Sequence, residues 1–228
     1  SIEALAKFHI GAEGFHANQE DEQRRLYGKW KHGFLQKLDE IEDAKTNIMA
    51  EGKVGGNTHL ILQYLTNSII DAKSALALIE KPFYERINAR DEAKKGFIHH
   101  DYSFHNILHT FDNQTFIGGL EKCAFDIRMH DLGHFIFRLM RRKGWDMEEV
   151  INLIDYYNEI YKLEKQDYEA LAVYFAFPHD YKQFYRQYYA VDRDIADLEE
   201  LERINVESDY NQARRSFIKE FMKYADLL

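Results

Sequence analysis

Apolar residues recur every three or four positions along most of this chain, and the period changes between Gly96 and Asp131. Ile2 to Phe8 carries apolar residues at helical spacing, with Gly11 and Gly14 placed to end that helix. Asn18, followed by acidic residues, predicts the N-cap of a long helix reaching about Met49. Its apolar face is Leu26, Trp30, Phe34, Leu38, Ile41 and Ile48. The three glycines of Glu51 to Asn57 predict a turn. Leu60 to Ile79 predicts a third helix, with Leu62, Leu65, Ile69 and Leu76 as its stripe and Pro82 beyond its end. A shorter helix, about Phe83 to Ala93, leads into the central stretch.

Inside that stretch Phe97-Ile98, Ile107-Leu108 and Thr115 to Leu120 are short apolar runs bounded by turn residues such as Asp112-Asn113. They predict small strands or a hairpin. Helical spacing returns after Arg128, with Leu132, Phe135, Ile136 and Leu139 on one face up to Arg142. Asp146 to Tyr161 and Glu164 to Phe177 predict two more helices, and another begins near Pro178. The last, from about Asp192 to Ala225, is rich in exposed charge. The pattern contains no internal repeat or linker, so residues 1–228 are expected to form one mostly helical unit: helical 1–95, a β-containing region 96–131, helical 132–228.

Composition narrows the function classes. The 228 residues hold 39 acidic and 30 basic side chains, for a net charge of −9. No broad basic surface for nucleic acid is implied. A single cysteine, Cys123, excludes an internal disulfide framework and a cysteine-based zinc site, and is expected to pack as a small apolar residue. No apolar run approaches membrane-spanning length. The 15 tyrosines gather in the second half, where they serve a packed core or supply contact surface.

The chemistry concentrates in His99-x-Asp101-x-x-x-x-Asn106. Phosphoryl transfer needs a carboxylate near the attacking hydroxyl and cations that neutralise the phosphates. An aspartate followed five residues later by an asparagine can place one group beside the nucleophile and the other on a metal. The neighbouring His100, His105 and His109 are expected to be structural, bonding backbone carbonyls or stacking on rings such as Phe104.

The segments Phe97 to Leu108 (FIHHDYSFHNIL), Glu121 to Arg138 (EKCAFDIRMHDLGHFIFR) and Phe175 to Tyr181 (FAFPHDY), with the opening Leu5 to His9 (LAKFH), resemble the aminoglycoside/choline phosphotransferase branch of the protein-kinase-like fold. More narrowly, they resemble its spore-coat-associated kinase-like family (CotS type). The resemblance implies a mostly α fold with a small β-hairpin, the C-terminal lobe of a kinase-like protein. It implies Asp101 as catalytic base, His99 as the loop histidine, Asn106 as the magnesium-binding asparagine, and Asp131 as the anchor of the loop's backbone. It further implies Mg-ATP as cofactor, a small-molecule hydroxyl as substrate, spore coat proteins as partners, and a cytoplasmic or spore-coat location.

Two departures from the family pattern set the expectation that this chain alone does not bind Mg-ATP productively. Where the family carries a metal-binding aspartate after a short strand, the run is Ile117-Gly118-Gly119-Leu120-Glu121, with Gly119 at the aspartate position. Glu121 is the substitute carboxylate in reach, about 7 Å along an extended chain. The nucleotide-binding lobe, with its glycine-rich loop and strand lysine, is expected before Leu5 and is not in this sequence. The alternatives are an active ATP-dependent kinase of small-molecule hydroxyls when that lobe is present, and an HD-type metal-dependent phosphohydrolase built on His130-Asp131-x-Gly133-His134.

Overall fold

The computed structural model describes residues 1–15, 19–51, 58–112, 114–182 and 197–227, with backbone alone for 19–20 and 197–208. Helix α1, Ile2–Ala12, runs through Gly11 and stops before Gly14, whose positive φ of 76° breaks the helical path. Its Leu5 and Ala6 are fully buried, and the helix packs on α5 and α6.

The long helix expected from Asn18 begins later, at Trp30, as α2 (Trp30–Ala50). Asn18 itself lies outside the described residues. Leu26 is not on a helical face, because its backbone is used elsewhere. Its N–H donates to Phe125 O at 2.8 Å, Phe125 N donates to Arg24 O, and Arg25 pairs with Phe125 as a parallel bridge. Gly28, at φ 74°, then turns the chain into α2.

The turn expected over Glu51 to Asn57 lies, beyond Glu51, outside the described residues. Helix α3, Thr58–Ile79, folds back on α2. Its buried face is Ile61, Tyr64, Leu65, Ser68, Ala72, Ala75 and Ile79. Of the expected stripe only Leu65 belongs to it; Leu62, Ile69 and Leu76 are half-buried at its edge. Small residues made the difference, since Ala72 and Ala75 are fully buried on this face while their low apolarity hides it from a pattern of large side chains. Helix α4 covers Phe83–Ala93.

β1 (Ile107–His109) and β2 (Thr115–Ile117) form an antiparallel hairpin pairing Ile107 with Ile117, Leu108 with Phe116 and His109 with Thr115. Ile107 and Ile117 pack on the core, while Leu108 and Phe116 face outward. Asn113 of the expected turn lies outside the described residues. Leu120–Lys122 is a 3-10 turn rather than a continuation of the strand, because Gly119 adopts the left-handed conformation before it. Ile98 pairs with Ala124 through two backbone bonds.

Helices α5 (Met129–Lys143), α6 (Met147–Ile160), α7 (Lys165–Ala176) and α8 (Asp197–Tyr224) complete the described architecture. Asp146 caps α6 by accepting from Glu149 N at 2.8 Å. The helix expected near Pro178 is described only to Lys182, and the start expected for the last helix, at Asp192, lies outside the described residues, as do Tyr185, Tyr188 and Tyr189.

α7 sits at the centre. Residues 170–176 are all buried, as a helix that is apolar on every side requires. Gly133 of α5 lies directly against it. A Cβ there would stand 2.8 Å from the Tyr174 ring, so only glycine permits this approach. Arg214 of α8, fully buried, donates to the Phe175 and Ala176 carbonyls at the end of α7 and to Asp71 of α3 at 2.7 Å.

Candidate functional site

The site is the loop that α5 holds against the hairpin. Asp131, in the first turn of α5, is fully buried and accepts from two successive backbone amides, His99 N at 2.6 Å to Oδ2 and His100 N at 2.8 Å to Oδ1. His9 of α1 adds its Nε2 at 3.1 Å, and the Tyr157 hydroxyl bonds the other nitrogen of that ring, Nδ1, at 2.7 Å. Burial alone would raise the Asp131 pKa. The side chains of His130, 3.5 Å away, and of the bonded His9 outweigh it and hold the carboxyl well below the usual range. The anchored backbone is bent sharply, since His100 sits at φ 65°, a conformation a non-glycine residue keeps only when its surroundings impose it.

His99 is fully buried, and its ring is oriented at both nitrogens. Asp101 N–H donates to Nδ1 at 3.3 Å, which leaves the ring proton on Nε2, donated to Gly118 O at 2.6 Å. That second bond ties the loop to the hairpin exit. The Asp101 carboxylate is 46% exposed. Asn106 Nδ2 donates to the Asp101 carbonyl at 2.9 Å and its Oδ2 at 3.3 Å, and His134 Nε2 stands 3.9 Å from its Oδ1. Asp101 thus presents an oriented carboxylate to solvent, with His99, Asn106 and Asp131 gathered behind it.

The side expected to carry metal is different. Gly119 has φ 75°, and a Cβ on it would lie 2.8 Å from Asn106 Oδ1 and 2.9 Å from Asn106 Cγ. The carboxamide of Asn106 therefore rests on the glycine backbone. Its nitrogen is already spent on Asp101. Glu121 lies exposed on the 3-10 turn beyond. Among the described residues no three His, Cys, Asp or Glu side chains are arranged to hold a metal ion. The Asn106 oxygen faces the Gly119 backbone, and the one carboxylate beside Asn106, that of Asp101, is bonded from its amide nitrogen; this does not fit a magnesium ion that takes hard anionic oxygens beside phosphate.

No family model matches the chain. Over 183 residues, 80% of its length, it is 24% identical to spore coat protein S of Bacillus subtilis (strain 168). Its structure matches the crystal structure of an aminoglycoside phosphotransferase from Alicyclobacillus acidocaldarius subsp. acidocaldarius DSM 446 over 100% of this chain, with a TM-score of 0.81 and 19% identity. The chain is thus similar in sequence to spore coat protein S and shares its fold with the aminoglycoside phosphotransferase. It spans 52% of the length of that relative and 65% of the phosphotransferase chain. At that identity the second likeness concerns the fold alone.

Several contacts that build this site have no signature in residue spacing. His9 reaches Asp131 across the whole intervening chain. A buried ion network ties α4 to the start of α5 and to α7: Arg90 bonds Asp167 with both terminal nitrogens at 2.8 and 2.7 Å, Arg128 reaches Asp167 at 3.1 Å, and Asp91 accepts from Arg128 N. Asp126, fully enclosed, accepts from Trp30 Nε1 at 2.9 Å and Ile127 N at 2.8 Å, and burial pushes its pKa up to about 7. The one legible hint is Glu164-x-x-Asp167, a reciprocal capping arrangement that fixes Asp167 at the start of α7.

Of the histidines expected to be structural, His100 stacks on a ring, though that of His130 rather than Phe104. The two ring centres are 4.3 Å apart, and His130 lies parallel to His134 at 6.0 Å. His109 bonds Thr115 and Ser1 side chains, and His105 is exposed. Cys123 is half-buried, and burial pushes its thiol up to about 11.

Proposed function

We propose that this chain is a spore-coat-type, phosphotransferase-like lobe that does not itself transfer phosphoryl groups. The observation that carries the reading is Gly119: no carboxylate stands at the second metal position, and the neighbouring carboxamide of Asn106 packs where one would begin. Phosphoryl transfer relies almost wholly on positioning and on neutralising phosphate charge, so an aspartate base alone supplies little of it. The likeness to spore coat protein S supports a place in the spore coat, with other coat proteins as partners. Among the described residues no helix is long and apolar enough to cross a membrane.

The test is thermal denaturation with and without millimolar Mg-ATP. A ligand that binds the folded state raises the melting temperature by mass action. No shift is expected; a rise of several degrees, lost in Asn106→Ala, would contradict the proposal.

One observation favours a second reading. The Asp101 carboxylate is open to solvent and oriented by Asn106, as a base awaiting a hydroxyl would be. Under that reading a longer parent protein transfers the γ-phosphate of ATP to a small-molecule hydroxyl, with Glu121 or a further residue on the metal. The phosphohydrolase reading fares worse, because both oxygens of Asp131 are taken by buried N–H donors and none faces a ligand. Elemental analysis finding a stoichiometric transition metal, lost in Asp131→Asn, would revive it.

A further inference from the structure

The histidine that ends the run His130-Asp131-x-Gly133-His134 is held at one ring nitrogen and idle at the other. The Tyr174 hydroxyl lies 3.1 Å from His134 Nδ1. Nε2 is buried and, among the described residues, has no hydrogen-bond partner. A buried polar nitrogen without a partner has lost its hydration with nothing in exchange, and native proteins rarely keep one. Asp101 Oδ1 stands 3.9 Å from it. That is too far for a hydrogen bond and near enough for charge to be felt.

Packing decides which of the two groups can move. Tyr174, on the central helix α7, is buried and stacks on His179 with ring centres 4.1 Å apart. It lies against Gly133, where a Cβ would stand 2.8 Å from its ring. His134 follows that glycine on α5, and the His130 ring lies parallel to it at 6.0 Å. The imidazole is thus fixed from behind by the core, whereas Asp101 is half-exposed. Turning the carboxylate to bring Oδ1 about 1 Å closer makes an ordinary N–H···O bond. Such bonds are commonly long in an unliganded site and tighten when it is engaged.

Chemistry decides the direction. Burial first, and then the charges of His130 and Arg138, lower the His134 pKa to about 4, so the ring is neutral at pH 7 and carries one proton. A proton on Nδ1 would leave the Nε2 lone pair facing a carboxylate oxygen, acceptor against acceptor. A proton on Nε2 suits both ends. Tyr174, whose phenol burial keeps protonated, donates to Nδ1, and Nε2–H faces Asp101 as a donor. Oδ2 of Asp101 already accepts from Asn106 at 3.3 Å, so each oxygen then has its own donor.

We infer that His134 is a positioning residue for Asp101: held by Tyr174, it donates from Nε2 to Oδ1 and fixes the carboxylate in one orientation. The chain of contacts carries the rigidity of α7 out to the exposed loop. What the orientation serves rests on the second reading of Asp101, as a base awaiting a hydroxyl; the orientation itself does not.

Long-range proton–nitrogen correlation spectra of the imidazoles at pH 7 test the direction of the bond, with the His134 signals assigned by their loss in His134→Gln. His134 is expected as the Nε2–H tautomer alone. In Asp101→Ala the Nδ1–H tautomer should appear. Exchange of the Nε2 proton with water should quicken about tenfold or more there, for the loss of one charge-assisted bond. An Nδ1–H tautomer in the wild type, or signals unmoved by Asp101→Ala, would overturn the inference. Three-bond couplings of the Asp101 methylene protons test the positioning. One χ1 rotamer is expected in the wild type and in His134→Gln, whose amide nitrogen keeps a donor near the place of Nε2. Averaging over rotamers is expected in His134→Phe, which keeps a ring and loses the N–H. A role in packing alone predicts a single rotamer in His134→Phe, and that result would equally overturn the inference. None of these readouts needs nucleotide or substrate, so they stand or fall separately from the role of Asp101 as a base.

Discussion

The two ends of the stretch from 96 to 131 are built on opposite principles. At the Asp131 end a fully buried carboxylate is met by two backbone amides and a histidine, itself bonded to a tyrosine. At the Gly119 end a bare backbone fills the space and a carboxamide closes over it. The first arrangement fixes the shape of the loop; the second offers the Asn106 carboxamide only a glycine backbone. A loop can thus keep its architecture whatever stands at its far end, and the shape alone says little about chemistry.

The sharpest way to break the comparison is at its strong end. Asp131→Ala would leave His9 and two buried amides without an acceptor, at a cost of about 3–5 kcal/mol, as for removal of one partner from a buried charged network. Urea denaturation should show a large drop in midpoint or loss of the cooperative transition. A drop below 1 kcal/mol would mean that the loop is held from elsewhere.

At the weak end, Gly119→Asp should destabilise by about 1–3 kcal/mol, because it adds a Cβ at positive φ and drives it into Asn106. It should not restore nucleotide binding. Gly118→Ala, with open space around its Cα and no positive φ, should stay within about 0.5 kcal/mol of wild type. Equal behaviour of the two variants would refute the packing described for Gly119.

The smallest effect is one of pH. Burial first, and then the charge of His130, lower the His100 and His134 pKa values to about 4. The folded state favours their neutral forms, so the stability they contribute is complete above about pH 6.5 and is lost as pH falls toward 4. Asp126, raised to about 7, works in the other direction, favouring the fold as pH falls from 7 toward 4. His100→Asn keeps a residue that tolerates positive φ and removes one imidazole. It should flatten the decline in melting temperature between pH 6.5 and 4. An unchanged slope would show that His100 does not titrate in that window.

Much of the fold was legible because large apolar residues at helical spacing do face the core, as in α4, α5, α6 and α7. The hairpin was legible from its change of period. Errors arose where packing used small residues, as at Ala72 and Ala75, or where a backbone edge captured an apolar residue, as at Leu26. Within the site, the five-residue step from Asp101 to Asn106 can be read directly, because both groups belong to one loop. His9 with Asp131 is a meeting between distant segments, and no local spacing announces it.

The central claim is that Asn106 and Gly119 together do not make a metal site. Electron paramagnetic resonance of Mn²⁺ added to the protein, alone and with ATP, counts bound metal directly. The expected result is no saturable Mn²⁺ binding that depends on Asn106, with wild type and Asn106→Ala superimposable. One bound Mn²⁺ per chain in the wild type, lost in Asn106→Ala, would contradict it.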